Sequence, residues 1–188
     1  MISVSRLSAS LPKALLLSLM PTVSLAMAAT SDDLYNNYFA NVLDGAPCFA
    51  RSYDDAHLKK HPDQRVREIE INLAKQNGDG TPNSADRFEL SFGLMLASGT
   101  DWYGQTASCK TDESFFECYL EGDGGVFKLT PEKDGGLRLE TGDSGLSLDG
   151  GDKDVELPGD DADDRAFDLV SSKEECQSAA TFFAGGSD

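Results

Sequence analysis

From Cys48 onward, apolar and polar side chains alternate along the chain. Phe88, Leu90, Phe92, Leu94 and Leu96 take every second position of the run 87–97. That is the period of a strand with one buried face. Gly93 and Met95 fall on the other face, so part of that face is expected to be covered as well. The same period marks 48–53, 66–73, 102–110, 115–121, 126–130, 137–140, 146–148 and 166–169. In 66–73 the alternation slips by one near Arg67, which allows a start at Glu68 instead. Glycine- and aspartate-rich stretches at 77–84, 98–101, 122–125, 134–136 and 142–145 break these runs and read as turns. About eight or nine short strands joined by tight turns predict a mainly β fold, a single antiparallel β-barrel or sandwich with up-and-down connections.

Ahead of the strands the period changes. Leu34, Tyr35, Tyr38, Phe39 and Val42 form one helical stripe, with Ser31-Asp32-Asp33 as its cap and Asp44-Gly45-Ala46-Pro47 as its stop. This predicts a short N-terminal helix laid over an open end of the fold. Residues 54–61 read as a short turn or helical piece ended by Pro62.

The first 28 residues read as a secretory signal peptide. Arg6 and Lys13 give a positive start, 14–20 an apolar run broken by Pro21, and Ala26-Met27-Ala28 the small residues a signal peptidase needs. Cleavage is expected before Ala29, leaving 29–188 as one disulfide-linked β domain. The apolar run is too short for a comfortable membrane span of about 20 residues. Export would place the four cysteines in an oxidising compartment, the periplasm or the medium of a bacterium. Cys48, Cys109, Cys118 and Cys176 allow three pairings. Spacing favours Cys109 with Cys118 across a hairpin, and then Cys48 with Cys176. A zinc site on all four is the competitor, and no Cys-x-x-Cys pair supports it.

The formal charge is −17, and the leader holds none of the acidic residues. An acidic surface repels nucleic acid and anionic lipid, both of which need basic patches. It admits a cationic partner, a divalent metal, or no specific partner at all.

Candidate chemistry is sparse. His57 and His61, four residues apart, would share a helical face and hold a metal with help from Asp54 and Asp55; two clear ligands fall short of the three or four such a site needs. The loop at 77–80 has calcium-loop composition, yet Phe88 or Leu90 stands where the bidentate glutamate belongs. The acidic stretches 149–154 and 159–164 read more simply as turns. No Gly-x-Ser-x-Gly elbow or phosphate-binding glycine loop is present, and no catalytic residue or cofactor is assigned. Trp102 and Tyr103 suit either the rim of a pocket or the core, with core favoured.

Three stretches carry a resemblance: Tyr53-x-x-x-His57-Leu58-x-x-His61-Pro62-x-Gln64, the segment Cys118 to Leu129 with its Gly-Asp-Gly-Gly turn, and Pro158-Gly159 followed by Asp163-Asp164-Arg165-x-Phe167. Together they resemble a group of small exported alphaproteobacterial proteins of unassigned function. The resemblance implies a bacterial, periplasmic setting and brings no activity with it. Asp168-Leu169 departs from the basic residue usual there, which weakens any shared charged contact. The reading that follows is a non-enzymatic periplasmic or secreted binding module. Its partner is a small apolar ligand in a barrel mouth or a basic protein. The alternatives are a metal-binding protein using His57 and His61, and a periplasmic hydrolase.

Overall fold

The structure is a computed structural model that describes residues 30–40, 48–149, 154–159, 163–172 and 176–178. Residues 1–28, expected to be a leader, together with Val42, most of the acidic stretches and the last ten residues, lie outside the described residues. Among those described, no helix is long and apolar enough to cross a membrane.

Nine strands among the described residues form one antiparallel sheet. They are β1 (Cys48–Ser52), β2 (Val66–Leu73), β3 (Phe88–Leu96), β4 (Trp102–Thr111), β5 (Phe116–Leu120), β6 (Gly125–Pro131), β7 (Leu137–Leu148), β8 (Val155–Leu157) and β9 (Ala166–Ser172). The first seven follow one another as a meander. β9 then inserts between β7 and β1 and closes an eight-stranded barrel, while β8 stands outside the ring as an extra strand on the far half of β7. Closure satisfies the edges that an open sheet would expose.

Directly opposed residues share a face, so the register shows what fills the barrel. Phe88 faces Cys109, Cys109 faces Cys118, and Cys118 faces Phe127. Ile71 faces Phe92. Phe88, Phe92, Phe116, Ile69, Ile71 and Leu129 retain 0% of their surface accessible. An internal void large enough for water would leave such side chains reachable, so the interior around them is filled.

One end of the barrel is closed by the N-terminal helix, α1 (Ser31–Tyr35), which continues as a π-helical turn over Asn36–Ala40. Thr30, rather than the expected Ser31, is the N-cap. Its hydroxyl accepts from the Asp33 backbone, and the Asp33 carboxylate accepts from Thr30 N–H in return. Phe39 projects onto the barrel end with its ring centroid 5.1 Å from those of Phe88 and Phe116. Tyr35 joins Phe88 at 5.1 Å.

The slip seen near Arg67 is a register shift between Val66 and Glu68. The reading of 137–140 and 146–148 as two strands about a turn is corrected: β7 runs unbroken through Gly142 and Gly145. Those glycines mark a change of partner. The first half of β7 pairs with β9 on one edge, and the second half pairs with β8. β8 itself was hidden inside what reads as an acidic loop.

Both disulfides form as the spacing favoured, Cys48–Cys176 and Cys109–Cys118. They indicate a non-cytoplasmic protein, because reducing compartments keep such thiols free.

Candidate functional site

At the end of the barrel opposite α1, the residues of the histidine motif come together. Helix α2 (Asp55–Lys60) is capped by Asp54, whose Oδ1 accepts from His57 N–H at 2.7 Å. His57 and His61 do share a face. Their rings stack at 4.4 Å with 17° between planes. Tyr53 continues the stack, 4.6 Å from His57, and the Arg51 guanidinium lies over Tyr53 at 5.2 Å. Burial pushes the Tyr53 phenol up, against the pull of the neighbouring Arg51 charge.

Gln64 locks this column to the barrel. Its amide nitrogen donates to Val66 O at 2.8 Å, which leaves Oε1 to accept from His57 Nε2 at 2.9 Å. The hydrogen-bond network thus assigns the proton to Nε2 of His57. Asp164 is fully buried at the start of β2. Its two oxygens accept from Arg65 N–H at 2.9 Å and Val66 N–H at 3.1 Å. Asp163 lies 4.0 Å from His61 Nδ1. Removing the Asp164 carboxylate orphans buried backbone donors, so Asp164→Ala is expected to cost about 2–3 kcal/mol, and Asp164→Asn less. Urea unfolding of the two variants checks this.

These positions define what the candidates can do. Stacked, nearly parallel imidazoles aim their lone pairs along their own planes, away from a common point. Asp54 is spent on the helix cap, and His57 Nε2 on Gln64. Among the described residues, the one trio of ligand-type atoms within reach of each other is Cys48, Glu70 and Cys176. Its two sulfurs are joined to each other and offer no thiolate. For acid–base work, the ring partner of His57 is an amide where a relay needs a carboxylate.

In the 77–81 loop the Asp79 carboxylate is already taken up. Asp79 Oδ1 accepts from the Thr81 hydroxyl and backbone, and Oδ2 from Arg87. These donors, Thr81 first, hold the Asp79 carboxyl down to about 2. Trp102 sits buried on the outer face of the barrel, opposite Met95, and Tyr103 packs partly buried against the core.

Gln64, Arg51 and Asp164 escaped the sequence reading as site residues. Gln64 stood in the quoted motif, so a signal was present. Asp164 is 98 residues from Val66 in sequence, and only the fold brings them together. No family model matches the chain, and the searches of curated proteins and of solved structures found no match either.

Proposed function

We propose that the protein is a non-enzymatic binding module of the bacterial periplasm or medium, which recognises a basic protein through its outer surface. The observation that carries this reading is the packed interior: the inward side chains of Ile69, Ile71, Phe92, Leu129 and Leu139 leave no accessible surface for a cargo molecule. Recognition then falls to the outside. There four arginines are already matched, Arg67 with Asp55, Arg87 with Asp79, Arg138 with Asp168 and Arg165 with Asp143. The surplus carboxylates of a chain with formal charge −17 are what a partner meets. The signal-peptide reading and the resemblance to exported alphaproteobacterial proteins support the compartment.

The test uses the mature chain, immobilised, against cationic wall-degrading hydrolases and other basic extracytoplasmic proteins. Retention at low salt is expected, falling steeply as salt rises, with inhibition of the retained enzyme. If no basic protein is held at low salt, the reading fails. A lipid or other small molecule released by solvent extraction would return attention to a cargo role. Zinc-dependent melting that His57→Ala/His61→Ala abolishes would favour the metal-binding alternative.

A further inference from the structure

We propose that the Cys48–Cys176 disulfide fastens a releasable C-terminal strap, which a dithiol reductant opens while the barrel stays closed. This goes beyond the binding role and does not depend on it.

The two disulfides lie on opposite sides of the barrel wall. Cys109 and Cys118 belong to the interior cluster with Phe88 and Phe127. Cys48 precedes the inward Phe49, so it points outward, where Cys176 meets it. Two residues on, Ser178 is fully buried against the outer face of β2 and β3. Its backbone N–H and its hydroxyl both donate to Glu70 Oε2, at 2.7 and 2.8 Å. Glu70 pairs across the ladder with Gly93. A Cβ at Gly93 would overlap the Ser178 side chain and lie 3.6 Å from Cε3 of Trp102. Strap and indole therefore converge over the one position of β3 where a side chain is missing.

The strap is separable from the barrel. β9, the last strand of the ring, ends at Ser172, so residues 176–178 contribute no strand pair to it. Lifting them is a local opening, whereas reaching Cys109–Cys118 requires breaking into the core. A thiolate of the dithiol attacks one sulfur of Cys48–Cys176 and forms a mixed disulfide, releasing the other cysteine as thiolate. The second thiol of the reductant then displaces the bound cysteine. Two electrons and two protons pass to the protein, which gains two thiols, and the reductant leaves as its disulfide. The product exposes the Glu70 carboxylate and Trp102 on a sheet face that the strap had covered.

The chain has a single tryptophan, which makes the release readable. The mature protein is titrated with dithiothreitol, trapped by alkylation and mapped by mass spectrometry. Alkylation of Cys48 and Cys176 with Cys109–Cys118 intact is expected. The emission of Trp102 should shift to the red, acrylamide quenching should rise several-fold, and the β circular dichroism should be kept. The variant Cys48→Ser/Cys176→Ser should show the same emission without reductant. Gly93→Ala should raise quenching with both disulfides intact, by displacing Ser178. Reduction of Cys109–Cys118 first, or of both bonds together with loss of β signal, overturns the proposal. So does a folded double-serine variant that keeps buried emission, an unfolded one, or a Gly93→Ala protein that is unchanged or fails to fold.

Discussion

Replacing Gly145 by alanine is expected to destabilise the protein by about 3–5 kcal/mol, a fall of roughly 10 °C in melting temperature. Two costs combine. Gly145 has φ of 76°, in the left-handed region that costs an L-residue roughly 1–2 kcal/mol. A Cβ there would also overlap the Leu157 carbonyl oxygen and lie 2.7 Å from Gly159 N. Both obstacles are backbone, so neither swings aside as a side chain would. Relief means moving β8 away from β7 and straining the pairing of Leu146 with Leu157. Gly135→Ala is the control. Its φ is 86°, yet nothing lies within 4 Å of its added Cβ, so it should lose only the conformational part, about 1–2 kcal/mol. Denaturant unfolding under oxidising conditions measures both. Equal losses would show that the approach of β7 to β8 contributes nothing.

Phe88→Ala is the second large effect, about 3–5 kcal/mol. Phe88 is fully buried where α1 meets the barrel, with ring centroids of Tyr35, Phe39 and Phe116 at 5.1, 5.1 and 5.7 Å. Its removal empties the centre of that cluster, and the closed ring of strands cannot collapse to fill it. Amide exchange in α1 should rise more than in β4 or β5, because Tyr35 and Phe39 both pack on the Phe88 ring. Tyr119→Ala supplies the contrast. Tyr119 is 45% exposed on the outside of β5, and its loss should stay within about 0.5 kcal/mol. A Phe88 variant no worse than the Tyr119 variant would mean that the aromatic cluster does not hold the cap.

The strands were legible because their inner faces are mostly apolar, with Gln105 opposite Phe92 and Thr141 opposite Phe127 among the exceptions. Phe88 to Leu96 carries an apolar residue at every second position, and even the slip at Arg67 corresponds to a real register shift. Where the chain bends its rules, local pattern misled. Gly142 and Gly145 look like a turn, but here they let one strand exchange β9 for β8. β8 is three residues among acids, too short to carry a period. The candidate site was half visible. The spacing of His57 and His61 placed both rings on one face of α2, as found. Their orientation was not visible, because it is set by Gln64 and Tyr53 and by the start of β2 that Asp164 anchors from a distant segment. Trp102 was favoured for the core. It is buried, but on the outer wall, because the paired glycines Gly93 and Gly104 leave space there.

The placement of β9 has a consequence for how the polypeptide is made. Its neighbours in the ring are β1, which begins at Cys48, and β7, which begins at Leu137, and it ends only at Ser172. A chain that emerges N-terminus first therefore carries a naked sheet margin until β9 has been added. Sealing waits for that strand to arrive. Shortening the polypeptide ahead of that segment would yield an unclosed, self-associating ribbon in place of a smaller version of the same object.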